Sequence, residues 1–403
     1  MPQDQIVTAE EREKSRILPA YSLHLDLIRG LAALVVLYGH LHLIVSGHGS
    51  VGGDGRTLDI TTHPADATAL PHAAVVVFFV LSGYLVGGSV LRDLKRDAFS
   101  WSSYSVRRLT RLWTVLIPAL LLGSVLDLTT QHFFSATQLF KSCIFTNQLH
   151  GLPSLLNFSR YLFFFQTIER FPAPRFGTNG ALWSLSSEFW YYVLFPFLAI
   201  ALTSVRAPKA LRIAFALFVA LILWFVGSRI GFSFPVWLLG AVAYVLPPRI
   251  PARLQKPVNL ALTLQFLLVL YILRSQPMTP LLADALLALS FTLLLYGILH
   301  RTGPAKKSFY SRLAHSISLP SYTLYASHIP IALLSAAFFA ARFPALFRHT
   351  GLAMAVVVAP VLIYVVIAYL LFERNTDTFR RFIERRLPQR KASHARPTIL
   401  ASR

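Results

Sequence analysis

The chain has 403 residues, of which 55% are hydrophobic and 14% charged, and its formal net charge is +21. A soluble domain carries roughly a quarter charged residues, so water is not the main solvent of this fold. The basic residues form short clusters between apolar runs, which argues against a nucleic-acid partner; the single cysteine, Cys143, excludes an intrachain disulfide and a thiolate metal cluster, and no metal site is expected.

Residues 1–22 read as a polar cytoplasmic N-terminal segment. The first apolar run after it lacks a small-residue cleavage pattern and reads as an uncleaved helix. Windows that reach the roughly 20 residues needed to cross a bilayer fall at 24–45, 72–90, 111–128, 183–204, 212–230, 232–248, 258–274, 279–299, 316–340 and 351–372. They predict an all-α polytopic membrane protein of about ten transmembrane helices, with the membrane domain over 23–373 and a basic cytoplasmic tail over 374–403. Pro235 and Gly240 weaken the sixth span as a helix. The stretch Tyr161–Thr167 (YLFFFQT) is apolar but short, and reads as a re-entrant or interfacial piece. With the N-terminus inside, 29 of the 38 Lys and Arg fall on the cytoplasmic side and nine on the other. An even span count then places both termini in the cytoplasm, in a multi-pass cell-membrane protein, as in a bacterial inner membrane.

The first span, LDLIRGLAALVVLYGHLH, places Asp26, Arg29 and His40 among apolar residues. Ionisable groups in a span are costly and point to a buried partner, a wet cavity or function. Arg29 and His40 are 11 residues apart, about 20° from full register, so they share a helical face, while Asp26 can pair with Arg29 across one turn. His40 is left without a local charged partner; it suits a proton acceptor or a hydrogen bond to a neighbouring span. The connection 46–71, with His48, Asp54, Asp59, His63 and Asp66, has no metal-ligand spacing and reads as a solvated loop. In FFVLSGYLVGG of the second span, Ser82, Gly83, Gly87 and Gly88 permit close helix approach.

YSVRRLTRLW follows, with Arg107 and Arg111 at i,i+4 and Arg108 beside them. Two or three guanidinium groups can converge there on phosphates, or simply anchor the span on its positive side. The long segment 129–182 is aromatic and polar, and suits a lip over an outward cleft. In WSLSSEFWYYVLFP, Glu188 sits among Trp183, Trp190, Tyr191 and Tyr192, as an arginine partner or as an acid/base group. In SISLPSYTLYASHIP, Tyr322, Tyr325 and His328 form a polar stripe that either lines the cavity of His40 or seats helix ends. Glu373 and Arg374 open a basic amphipathic tail suited to the inner membrane surface.

These ordered motifs resemble the membrane acyltransferase-3 family of polysaccharide and lipid O-acyltransferases, over nearly the whole chain. LDLIRGLAALVVLYGH resembles its arginine-to-histidine motif, carried by Arg29 and His40; FFVLSGYL matches the second-span motif around Ser82 and Gly83. Arg107, Arg108 and Arg111 match its basic segment, WSLSSEFWYYVLFP its glutamate motif with Glu188, and SYTLYASHIP its late motif with Tyr322, Tyr325 and His328. Glu373 falls at the family's acidic position after the last core span. Trp113 stands where a proline often follows the basic segment, and EFWYY lacks the usual polar residue after Glu. Many relatives also carry a soluble esterase-like domain after the spans.

The resemblance implies transfer of an acyl group, most often acetyl, from acetyl-CoA or another acyl-CoA to a hydroxyl of a glycan, glycolipid or related lipid-linked acceptor. His40, Arg29 and Glu188 are then the catalytic candidates. Arg107, Arg108, Arg111, Ser82 and Gly83 are the donor-binding candidates, and Asp26, Trp183, Tyr322, Tyr325 and His328 line the cavity. The lipid bilayer is an expected partner, and a homo-oligomer is compatible with the sequence. The rival from another class is a proton-coupled secondary transporter, which would use the same intramembrane His and Arg but usually shows a duplicated half that is not visible here.

Overall fold

The computed structural model describes residues 20–46, 69–143, 145–146, 154–171, 174–204, 207–247, 249–276, 278–300 and 308–386. His48, Asp54, Asp59, His63 and Asp66 of the first long loop lie outside the described residues, as do 1–19 and the tail beyond 386. Among the described residues there is no strand, and ten helices are long and apolar enough to cross a membrane.

In chain order, α1 is Ala20–Ser46, and α2 is an α-helix Ala69–Ser82 continued through a π-turn Gly83–Gly87 and a last stretch Gly88–Lys95. Then come α3 (Trp101–Phe134), the short α4 (Gln138–Ser142) and α5 (Leu155–Leu162), α6 (Trp183–Thr203), α7 (Lys209–Val226), α8 (Ser228–Val245), α9 (Gln255–Ser275) and α10 (Pro280–Leu299). The chain closes with α11 (Phe309–Ser318), α12 (Ser321–Arg342), α13 (Thr350–Leu371) and α14 (Thr376–Glu384). Two helices organise the bundle: α12 packs on α1, α3 and α13, and α2 packs on α1, α8 and α10. The helices α7 and α9 are peripheral, and large apolar side chains such as Leu217, Trp224, Leu264 and Tyr271 stay exposed on them. That is the expected outcome where lipid rather than protein covers a helix.

Three boundaries differ from the sequence expectation. Helix α3 has 34 residues, about 51 Å at 1.5 Å per residue, so Arg107, Arg108 and Arg111 stand on the helix itself rather than before it. The ninth span starts at Ser321, because the chain breaks at Leu319–Pro320 and the residues before it form the separate α11. The division between the fifth and sixth spans falls at Gly227, whose φ of +83° ends α7. Glu169 closes that break, accepting from the Ser228 hydroxyl at 2.6 Å and the Arg229 N–H at 2.9 Å. These bonds hold its carboxyl below the usual carboxylate range.

The sixth span is helical in spite of Pro235 and Gly240, and Gly240 explains the close approach of α8 to α2. A Cβ there would lie 1.9 Å from the Val80 carbonyl oxygen, and a Cβ on Gly83 would lie 1.8 Å from that of Trp237. The two backbones therefore touch at paired glycines, as small-residue packing in membranes predicts. Gly83 is used for this contact, and the π-turn that begins there widens the helix just after Ser82.

The segment between α3 and α6 dips into the bundle. Trp113, 21 residues and about 31 Å along α3 from Phe134, donates its indole N–H to the Leu162 carbonyl at 3.0 Å. Phe164, at φ +62°, is only 1% exposed, and its carbonyl accepts from the Ser186 hydroxyl at 2.6 Å and the Trp190 indole at 3.1 Å. The piece around Tyr161–Thr167 is thus packed against α3 and α6. The end of this segment, expected as a lip, is instead buried: Asp127 of α3 accepts from the Thr178 N–H at 2.9 Å and the Thr178 hydroxyl at 2.6 Å. Gly177, at φ +59°, makes the turn against that carboxylate.

Two of the prolines inside the helices, Pro196 and Pro330, recruit donors from neighbouring segments. Pro330 has no N–H for the Ala326 carbonyl one turn earlier, and Asn179 supplies one at 2.7 Å. Pro196 likewise frees the Tyr192 carbonyl, which accepts from the Tyr104 hydroxyl at 2.9 Å. Each bond ties a kinked helix to a partner at a defined height.

Candidate active site

The side chains that carry chemistry gather in two layers joined by α12. The first is a histidine pair between α1 and α12, with His40 Nδ1 2.7 Å from His328 Nε2. Their rings are nearly parallel, at 12°, with centroids 5.0 Å apart. His328 is 1% exposed, and its Nδ1 lies 2.8 Å from the Leu324 carbonyl and 3.1 Å from that of Tyr325. A carbonyl only accepts, so Nδ1 of His328 carries the proton. In the neutral ring Nε2 then accepts, and His40 Nδ1–H donates to it. This assignment leaves the lone pair of His40 on Nε2, which has no protein partner among the described residues. His40 is half-buried, with Phe145 edge-on against its ring at 5.6 Å. The pair therefore presents one open, oriented base.

The second layer lies about 9 Å away along α12, the six residues from His328 back to Tyr322. Arg111 is accessible to solvent and lies within electrostatic reach of Glu188, Glu373, Tyr192 and Tyr322, from three other parts of the chain. Among the described residues it forms no ion pair. Arg108, one turn away, donates to Ser89 at 3.2 Å and lies over the rings of Tyr104 and Tyr192 at 5.5 and 5.8 Å, while its Nε is buried without a partner. Arg107 turns elsewhere, to Ser103 at 2.5 Å and Asp93 at 3.6 Å. Of the three arginines, then, Arg108 and Arg111 converge and Arg107 does not.

Glu188 accepts from the hydroxyls of Tyr192 and, at 3.2 Å, Ser82. Ser82 in turn accepts from the Trp237 indole at 3.1 Å. Ser82 thus belongs to the Glu188 network, and its neighbour Gly83 to the contact with α8. Glu373 takes the Thr323 N–H at 3.0 Å and its hydroxyl at 2.6 Å, which satisfies the first turn of α12 and places negative charge at its positive end.

Arg29 pairs with Asp26 at 3.3 Å, as its spacing predicts, and also donates to Ser318 at the end of α11. Ser318 donates to Asp26 at 3.2 Å, and Arg29 Nε is buried without a partner. The face shared by Arg29 and His40 is the one that meets α11 and α12. Tyr325 is a seat rather than an open group: its hydroxyl bonds the Ala181 carbonyl at 2.9 Å and Ser184 at 2.6 Å. Tyr322 reaches the Leu112 carbonyl at 3.4 Å and stays half-buried beside Arg111. Trp183 stands at the start of α6 against His72 and Phe79.

Asn179, Tyr104 and Trp237 had not stood out in the sequence. Pro330 and Pro196 each announce a carbonyl in need of a donor, but only the packing decides which donor arrives. Among the described residues no three His, Cys, Asp or Glu side chains converge on a point.

Comparison with known proteins finds relatives by sequence. The chain is 25% identical over 354 residues to the peptidoglycan O-acetyltransferase OatA of Listeria monocytogenes, covering 80% of this chain and 51% of that one. It is 26% identical over 225 residues to an O-acetyl transferase of Shigella phage Sf6, covering 53% and 56%. The chain therefore spans about half the length of the curated relatives it matches. No solved structure matches it. A family model described as an acyltransferase domain matches residues 23–378, a range that holds every helix from the face of Arg29 and His40 to Glu373, and the chain belongs to that acyltransferase-3 family.

Proposed function

We propose that this protein is a membrane O-acyltransferase that moves an acyl group, acetyl foremost, from an acyl-CoA thioester to a hydroxyl of a cell-surface glycan or glycolipid. The observation that carries this reading is the open Nε2 of His40, fixed in its tautomer by the hydrogen bond to His328. The names of the relatives support an O-linked acetyl product, and the peptidoglycan acceptor of OatA supports a glycan. Arg108 and Arg111 fit the donor's phosphates, because the planar fork binds such oxygens in pairs and their protein partners leave donors open.

The thioester supplies an activated acyl carbon. His40 Nε2 accepts the proton of the acceptor hydroxyl, so that the oxygen attacks as it loses it. Arg29, tied to Asp26 and Ser318, holds positive charge on the same helical face about 16 Å along α1 from His40, where it either positions the thioester end or steadies negative charge. Glu188, through Tyr192 and Ser82, positions the wall around Arg111. Direct attack requires both reacting atoms within roughly 3.5 Å beside His40, whereas an acyl-His40 relay would separate the two binding events. Labelled donor supplied without acceptor leaves label on the protein only in the relay.

Purified protein given labelled acetyl-CoA and candidate glycans is expected to release free coenzyme in step with acceptor acetylation. Solute uptake into vesicles without coenzyme release would instead identify the transporter rival. The charge distribution further supports a cytoplasmic location for both termini. Reporter fusions after residues 60, 150, 255 and 390 are expected to read outside, outside, inside and inside. An outside signal at 390 would overturn the even count.

A further inference from the structure

A second group of side chains stands apart from the histidine pair, at the ends of α2, α6 and α10. His72 Nε2 lies 2.7 Å from Asp284 Oδ1, and the imidazole lies parallel to the indole of Trp183, at 12° with centroids 6.2 Å apart. The side chains of His72 and Asp284 keep 39% and 19% of their exposure. His72 Nδ1 and the second Asp284 oxygen have no partner among the described residues and are not sealed from solvent. An imidazole–carboxylate pair in spans of otherwise apolar sequence is costly unless it is used. Neither residue bonds to the backbone, and α2 and α10 pack against each other along further residues.

The chemistry on offer is a half-buried indole, with the His72 imidazole parallel to it, beside two open hydrogen-bonding atoms. A pyranose ring matches it, because its C–H faces are apolar and pack on an aromatic plane while its hydroxyls project sideways to polar groups. The group is also connected to the histidine pair. Ser184, next to Trp183, shares a 2.6 Å hydrogen bond with Tyr325, which stands one turn before His328. A ligand held at Trp183 is therefore near enough for another part of the same oligosaccharide to reach His40.

We propose that Trp183, His72 and Asp284 form a subsite for a neutral sugar ring of the acceptor, remote from the reacting hydroxyl. Its role in acceptor selection rests on the acyltransferase reading above; sugar binding itself does not. The test uses the full chain in nanodiscs and saturation-transfer NMR with three neutral oligosaccharides: a β-1,4-linked N-acetylglucosamine tetramer, a mannose tetramer and a rhamnose trimer. At least one is expected to bind, with Trp183→Leu and Asp284→Asn each weakening it tenfold or more and Trp183→Phe recovering part of the loss. In the transfer assay the same variants are expected to raise acceptor KM tenfold or more, with kcat within threefold and the KM for acetyl-CoA unchanged. No binding of any of the three by the native chain, or equal binding by both variants, overturns the subsite. So does a joint fall of thermal midpoint and kcat without a change in acceptor KM, since that marks a purely structural pair. Variant-sensitive binding without coenzyme release in the native protein would reject the acyltransferase reading and leave the subsite standing.

Discussion

Replacing His40 by Gln is expected to lower acyl transfer by about 100- to 10,000-fold, the range that general-base catalysis supplies, while membrane insertion and donor binding persist. Glutamine keeps a hydrogen-bonding amide near His328 but cannot take a hydroxyl proton at neutral pH. The companion variant, His328→Leu, tests the tautomer argument. His328 fixes the ring because its own Nδ1 proton is held by the Leu324 and Tyr325 carbonyls. Without it, His40 is free to carry its proton on Nε2, the wrong nitrogen for a base facing the cavity, and loses the orientation set by the 2.7 Å contact. A loss of roughly 10- to 100-fold in kcat with KM values little changed is expected, smaller than for His40→Gln because the ring remains. Single-turnover kinetics on purified, correctly inserted protein separate these effects from binding. Near-normal transfer by a folded His40→Gln protein would reject His40 as base or relay, and Glu188 would become the next candidate, tested by Glu188→Gln.

The second large effect separates the arginines. Arg111→Ala is expected to raise the KM for acetyl-CoA, since a charge-assisted contact contributes about 1.5–3 kcal/mol, or roughly 10- to 150-fold in affinity, and less where water screens it. Arg111→Lys is expected to recover only part, because the ammonium lacks the planar fork. Arg107→Ala is expected to change the same KM by less than about threefold: its guanidinium is already engaged by Ser103 and Asp93 at the end of α2, a half-buried pairing directed away from the other two arginines. Positive-inside anchoring alone would make the two substitutions equivalent. Equal effects from Arg107→Ala and Arg111→Ala on donor KM, in proteins of unchanged orientation, would assign the cluster to topology.

Much of the architecture was legible without coordinates, because a bilayer imposes a strong one-dimensional rule: each crossing needs about 20 apolar residues with its backbone bonds internal. All ten windows appear as helices. The pairing of Asp26 with Arg29 was legible for a similar reason, since three residues on a helix are neighbours wherever that helix goes. Boundaries failed where tertiary contacts override hydropathy. The sequence 316–340 is apolar across Pro320, yet α11 and α12 are separate helices. The polar turn at Gly177–Thr178 reads as a surface loop, yet Asp127 on α3 draws it inside.

The sequence by itself determined that this is a multi-span helical membrane protein, which residues pay the cost of charge inside a span, and that Arg29 and His40 share one face. These follow from local periodicity and from the solvent. Only the tertiary structure decided the partners: that His40 meets His328 rather than an acid, that Glu188 is bonded by Tyr192 and Ser82, that Arg107 turns to Asp93, and that Asn179 completes the helix Pro330 interrupts. Each of these contacts except the one within α6 joins separate elements of the chain, and their heights and rotations are set by close packing at points such as Gly83 against Gly240. Helical periodicity carries the direction of a side chain relative to its own helix but not the identity of the helix it will meet.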